Sequence, residues 1–345
     1  MFGPEGPWLF DRRTDLLAFG GSAVLAFALL GVGAALGILE ADAPEWVWLS
    51  CILGVDVAHV WSTLYRVYLD GAEVRRRPWL YLGAPALCYG VGVFVHALSA
   101  ALFWTLLAYL AVFHFVRQQV GWVRLYARRE GAGSSDLRLD LAATYAATVY
   151  PILWWHAHLP RRFHWFVDGD FVRANAEPLA AAFEPLYWAV LGLWALRQLQ
   201  RWRSAPTPSP GKVIVVITTW ACWYVGIVAL DGDYAFTVTN VLIHGLPYFV
   251  LTYRYGRSRV QAPLLRRILR AGAPAFYATV VALALLEEAA WDRWVWHDRP
   301  WLFGEGANPP AAALPLLVPL LALPQSLHYV LDAFVWRARS NPQLR

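Results

Sequence analysis

Residues 101–123, ALFWTLLAYLAVFHFVRQQVGWV, decide how the rest of the chain is read. The thirteen residues from Ala101 to Phe113 contain one non-hydrophobic side chain, Thr105, and the apolar run resumes beyond His114 as far as Val123. A helix needs about 20 mostly apolar residues to cross the hydrocarbon of a bilayer. This stretch is long enough, yet it carries His114, Arg117, Gln118 and Gln119 where hydrocarbon disfavours them. It is a predicted span that holds groups a span does not need.

Nine further stretches meet the same criterion, so the predicted spans are 16–39, 46–66, 79–99, 101–123, 139–159, 179–199, 213–230, 235–254, 272–291 and 311–335. The fold predicted is all-α, a polytopic helical bundle of about ten transmembrane helices, with 1–345 as a single transmembrane domain. Composition agrees: 59% of residues are hydrophobic and 15% charged, against about 45–50% and about 25% in soluble domains. That excludes a disordered chain and argues against a soluble enzyme. The connections, such as Asp70–Pro78, Glu130–Asp136 and Ser204–Gly211, carry turn residues and charge, and none is long enough for a soluble domain. Cys51, Cys88 and Cys222 lie inside apolar runs without paired spacing, which removes a disulfide framework and a zinc ribbon.

The 29 basic residues are 28 arginines and Lys212, and the net charge is +5. They fall between spans rather than in a nucleic-acid-binding stripe. With the N-terminus cytoplasmic, 24 of them, from Arg12 and Arg13 to Arg339 and Arg345, face inward, and only Arg161, Arg162, Arg173, Arg293 and Arg299 face outward. Cytoplasmic loops are the basic ones, so the chain is predicted to lie in the cell inner membrane with both termini cytoplasmic and an uncleaved first span. Many of the 20 tryptophans, among them Trp46, Trp48, Trp154 and Trp155, fall at span ends, where an amphipathic ring belongs at headgroup level.

Of nine histidines, His156, His158, His164 and His297 fall at outer ends or in outer loops, and His96 near an outer end; imidazoles there need no special purpose. His59, His114, His244 and His328 lie inside the second, fourth, eighth and tenth spans, all running outside to inside. They precede the inner residues Arg66, Arg124, Arg254 and Arg337 by 7, 10, 10 and 9 residues. At 1.5 Å rise per residue, the four share one depth in the cytoplasmic leaflet to within about a helical turn. A single intramembrane histidine is ordinarily a hydrogen-bonder between helices; four at one level predict a site.

Their helical neighbours point to metal chemistry. Asp56 is three residues before His59 and Asp332 four after His328, so each pair shares a helix face. A carboxylate in hydrocarbon costs about 2.5–3.5 kcal/mol even on the lenient insertion scale, which calls for a metal, a cation or a buried hydrogen bond in compensation. Gln118 follows His114 by four, Asn240 precedes His244 by four, and Tyr248 follows it by four. The predicted ligands are His59, His114, His244 and His328. Asp56, Asp332 and Tyr248 are the candidate catalytic groups, and Gln118, Asn240 and Arg117 the candidate cofactor-binding groups. Imidazoles with carboxylates suit iron, zinc or copper, and a mixed set with open positions is the pattern of oxygen-activating non-haem iron.

The expectation is thus a membrane iron oxidoreductase taking a lipid or isoprenoid from the bilayer, with membrane lipids around it and an electron donor as partner. Two alternatives are a haem b protein for electron transfer, with inner arginines holding propionates, and a proton-coupled transporter using the intramembrane His and Asp, with Pro247 and Pro324 breaking helices. The four-histidine arrangement resembles that of integral-membrane oxygenases, such as the bacterial Brp/Blh-type carotenoid-cleaving enzymes and the membrane desaturases and hydroxylases. The resemblance is of pattern alone: the H-x-x-x-H and H-x-x-H-H clusters of desaturases are absent. Two further expectations concern inner and outer ends. Arg66 and Asp70 are predicted to form an interfacial ion pair, and Glu287-Glu288 a solvated end of the ninth span.

Overall fold

The computed structural model describes residues 7–130, 134–204, 208–337 and 341. Arg339, Arg345 and the loop residues 131–133 and 205–207 of the sequence reading lie outside them. Every predicted span coincides with a helix, and no strand occurs among the described residues. The long helices are α1 (Arg12–Leu36), α2 (Glu45–Tyr65), α3 (Pro78–Leu98), α4 (Ala100–Glu130), α5 (Ser134–Ala157), α6 (Glu177–Trp202), α7 (Pro210–Ala229), α8 (Asp233–Arg259), α9 (Ala273–Trp296) and α10 (Ala311–Val335). Their ends follow local chemistry. Asp11 caps α1 by accepting from Thr14 N, and Gly37, in the left-handed region at φ 71°, ends it. Proline opens α3, α7 and α9 within the first two positions, where a missing N–H is not felt.

Among the described residues nine of these helices, all but α5, are long and apolar enough to cross a membrane. Helix α5, predicted as a span over 139–159, is the one that falls short of this criterion. Helix α5 has the length, but Asp140, Thr144, Tyr145, Thr148 and Tyr150 dilute its apolar character. The two threonines are nonetheless satisfied locally: Thr144 and Thr148 donate to the carbonyls of Asp140 and Thr144, four residues back, as hydroxyls in apolar surroundings must. Long apolar side chains remain exposed on α3 (Leu82, Leu87, Phe94, Leu98) and α6 (Leu179, Phe183, Leu186, Leu193). Uncovered apolar surface of this extent suits lipid rather than water.

By internal contacts the chain divides into two compact units. The first contains α1, α4 from Phe115 onward, α5, α6, α7 and α8 as far as Pro247. Close approach of α1 to α8 depends on Gly33, where an added Cβ would stand 2.3 Å from the Tyr234 ring; the Tyr234 hydroxyl donates to Leu29 O. Lys212, predicted on the inner side, is fully buried between Glu130 (2.5 Å) and Asp140 (2.6 Å), and Arg201 donates to Glu130 as well (2.8 Å). This network joins α4, α5, α6 and α7. A buried lysine is tolerable only when paired in this way.

The second unit contains α2 from Trp48, α3, α4 as far as His114, α8 from Tyr248, α9 and α10. Beyond α2, Arg66 and Asp70 are not the direct pair expected. Arg66 is fully buried and donates to Tyr255 Oη (3.1 Å), Val335 O (2.7 Å) and Asn341 Oδ1 (2.9 Å). Asp70 accepts from Tyr255 and Arg259 and caps the short helix Gly71–Arg76. Tyr255 therefore stands between them, because a hydroxyl can accept from one and donate to the other.

Glu73, on that short helix, is buried against Arg76 (2.6 Å), with Tyr81 Oη donating to it. Burial pushes its carboxyl upward, but hydrogen bonds from Arg76 and Tyr81 and the charge of Arg66 outweigh burial and hold it below the usual glutamate range. A group depressed in the folded state stabilises it above the unfolded pKa and loses that contribution as pH falls through the folded one. Thermal midpoints in detergent are therefore expected to fall as pH drops below about 4.5, and Glu73→Gln to flatten that part of the profile. A slope unchanged in the variant would count against this role.

Candidate metal centre

Helix α2 approaches the site with a changing pitch. It winds as a π-helix over Trp48–Val57, as an α-helix over Ala58–Ser62 and as a 3₁₀-helix over Thr63–Tyr65. Wide and tight windings in succession are uncommon and frequently mark function. The tightening stretch carries Asp56, His59 and Thr63, and both His59 and Thr63 meet His328 of α10. The His59 and His328 rings lie edge to face with centroids 4.9 Å apart, and Thr63 Oγ1 is 2.8 Å from His328 Nδ1.

His114 completes this side. Its Nε2 is 3.1 Å from His328 Nε2, with ring centroids 4.5 Å apart and Tyr329 alongside at 5.0 Å. His59, His114 and His328 are all buried. His244, fully buried, stacks on Phe115, the residue after His114, with centroids 3.6 Å apart. Within the second unit, a ligand nitrogen from each of His59, His114 and His328 lies within 4.8 Å of the other two.

The hydrogen bonds decide which ring nitrogens of His59 and His328 carry the proton. His59 Nδ1 lies 3.2 Å from Val55 O; a carbonyl can only accept, so Nδ1 carries the proton and Nε2 keeps its lone pair. For His328 the assignment runs through a chain. The Trp336 indole can only donate, and it gives its proton to Asp332 Oδ1 (3.2 Å), which also accepts from Tyr248 Oη (2.8 Å). With its proton so committed, Tyr248 accepts from Thr63 (3.0 Å), and Thr63 in turn accepts from His328 Nδ1. His328 Nε2 is therefore a lone pair aimed at His114 Nε2. Two nitrogens so placed need a proton or a cation to share.

A cation fits. Imidazole nitrogen binds such metals at about 2.0–2.1 Å, so neighbouring ligands on one ion stand about 2.9–3.4 Å apart, and the 3.1 Å between His114 and His328 falls in that range. Imidazole donors suit iron, zinc or copper, and not calcium or magnesium. The cluster can hold a metal ion. Shape argues against a porphyrin between these rings, since nitrogens 3.1 Å apart leave no room for a macrocycle.

The other predicted residues are less uniform. Tyr248 and Asp332 stand in the chain just described, orienting His328 rather than facing the lone pairs. Asp56 Oδ1 is 3.7 Å from His59 Nδ1, its side chain about a third exposed. Asn240 donates to Phe236 O and Thr239 Oγ1, while its Oδ1 is buried with no hydrogen-bond partner among the described residues. Gln118, one turn beyond His114, has both amide atoms in that condition. Arg117 is exposed and donates to Tyr145 Oη. Its guanidinium is thus turned to α5, within the first unit.

Thr63 and Trp336 escape a search for ionisable groups, although Thr63, four residues after His59, lies on the same face by simple helical spacing. Glu287 corrects the expected solvated end: it is buried and accepts from Trp61 (2.6 Å) and Gln325 (2.7 Å), so it joins α2, α9 and α10. No protein-family model matches the chain, no curated protein matches it in sequence, and no solved structure matches it in fold.

Because Thr63 fixes the proton on His328 Nδ1, Thr63→Val is expected to weaken metal binding about 10- to 100-fold, the usual loss for an orienting partner. Thr63→Ser keeps the hydroxyl and should bind nearly as wild type. Competition with a chromophoric chelator measures both, and equal affinities for the valine and serine variants would contradict the assignment.

Proposed function

We propose that the chain is an integral-membrane metalloenzyme that holds non-haem iron on His59, His114, His244 and His328 and oxidises a hydrophobic lipid or isoprenoid substrate. The observation that carries this reading is the convergence of buried imidazoles, with the protons of His59 and His328 held on Nδ1 by Val55 O and Thr63 Oγ1. Iron, when bound, would supply one-electron chemistry and an open position for dioxygen. The protein's own contribution is orientation and dryness. Thr63, Tyr248 and Asp332 hold the proton on His328 Nδ1, Asp56 stands beside His59, and Gln118 and Asn240 offer amides to a substrate or a reacting oxygen. Apolar helices admit a substrate from the bilayer and keep water away. The arginine distribution supports placement in the inner membrane with both termini cytoplasmic, α5 counting as a tenth crossing. An electron donor would act as partner.

The test is elemental analysis with an absorption spectrum on the full chain purified in detergent. Stoichiometric iron without a Soret band is the expected result. A Soret band would overturn it in favour of haem, and absence of any stoichiometric metal, together with proton-dependent uptake into vesicles, in favour of a transporter.

A further inference from the structure

Residues 66–78 and 254–271 contain ten arginines and two acids. The acids are committed: Glu73 pairs with Arg76, and Asp70 accepts from Arg259 and Tyr255. Between these segments, within the second unit, lies a groove of 430 Å³ whose walls include Tyr68, Leu69, Arg75, Arg259, Gln261 and Leu265. Its size is that of a small-molecule site. Arg75 is exposed and makes no hydrogen bond or ion pair among the described residues.

The helix bordering this groove, Pro263–Ala271, is sharply two-sided. At 100° per residue, Leu264, Leu265, Ile268 and Leu269 occupy one arc and Arg266, Arg267 and Arg270 the opposite one. Leu269 is buried and anchors the helix, Leu265 lines the groove, and Leu264 is 68% exposed. An arginine-rich amphipathic helix with uncovered leucine lies in the plane of a bilayer surface, apolar arc toward the acyl chains. Trp79, 87% exposed on α3, is a residue type suited to that level.

We infer that this groove is a binding site for an anionic phospholipid, with the Arg75 guanidinium on the phosphate, Arg259 and Gln261 beside it, and the acyl chains along Leu265 and Leu264. Guanidinium groups match phosphate oxygens in a two-pronged geometry. Excess positive charge discriminates against a choline lipid, whose ammonium it repels, and basic juxtamembrane clusters select anionic leaflets for the same reason. The site is separate from the histidines and stands whether or not they hold iron.

Native mass spectrometry of the detergent-purified full chain, offered dioleoyl-phosphatidylglycerol and dioleoyl-phosphatidylcholine at equal concentration, tests this. Phosphatidylglycerol should be retained preferentially, Arg75→Gln should weaken that retention about tenfold, and Leu264→Gln should weaken it without altering charge. Arg293→Gln, outside the groove, should not. Equal retention of the two lipids, wild-type retention in both groove variants, or a loss in Arg293→Gln matching that in Arg75→Gln would overturn the inference. So would displacement by glycerol 1-phosphate as effective as by the lipid, since free phosphate would then be the ligand.

Discussion

Alanine at His328 is expected to remove the bound metal, with content on purification falling at least about tenfold, the floor set by losses for residues that merely orient a ligand. His328 meets several groups of the site: His114 at 3.1 Å, Thr63 at 2.8 Å, and the rings of His59 and Tyr248 at 4.9 and 5.2 Å. Its loss removes a donor and also leaves the chain through Thr63, Tyr248 and Asp332 with nothing to orient. His59→Ala should lose metal too, by a different route. It deletes one donor, while the Thr63 to Asp332 chain stays intact, so a metal of lower affinity could persist at high concentration. Inductively coupled plasma analysis of both variants beside wild type measures this, and unchanged metal in His328→Ala would sink the proposed centre. His156→Ala is the control, since His156 Nδ1 is taken by Ile152 O (2.7 Å) on its own helix.

The second large effect belongs to Arg66. Its guanidinium is fully buried, holds Tyr255, Val335 O and Asn341, and lies over the rings of Tyr255 and Trp336 at 4.5 and 5.2 Å. Breaking a buried charged cluster by removing one partner costs about 3–5 kcal/mol, because the charge left behind is uncompensated. Arg66→Ala strands Glu73, 3.8 Å away, although Arg76 still pairs with it, so the lower part of that range is expected. Arg66→Met with Glu73→Gln should recover part of the loss, since the stranded charge is gone. Thermal unfolding in detergent reads both, and a midpoint for Arg66→Ala within a degree of wild type would refute the account. Metal per folded chain should survive in these variants, which separates this cluster from the histidines.

The spans and the four histidines were legible in the sequence because both depend on regularities of one helix: apolar length and residue counts between fixed landmarks. His59, His114, His244 and His328 could be aligned in depth by counting to arginines. What counting does not reach is the azimuth of a side chain and the partner it meets on another helix. Arg66 and Asp70 satisfy the i, i+4 rule and still bond elsewhere, because Tyr255 offers each a better-placed group. Glu287 sits at a helix end by arithmetic, yet Trp61 and Gln325, distant in sequence, bury it. Lys212 counts toward the inner side by its position along the chain, yet its two carboxylate partners come from helices 72 and 82 residues away and bury it. Thr63 was missed because a hydroxyl carries no charge to draw attention.

The changing pitch of α2 has a bearing on how this sequence tolerates insertion and deletion. A π-wound turn holds more residues than an α-turn over the same axial advance, so the stretch Trp48–Val57 stores surplus chain immediately before His59. Losing one residue there can convert the wide winding to an ordinary one and leave His59 and Thr63 in phase. Below His59 the 3₁₀ turn over Thr63–Tyr65 is already drawn tight and has no such slack. Length changes should therefore be absorbed on one side of the site and be ruinous on the other.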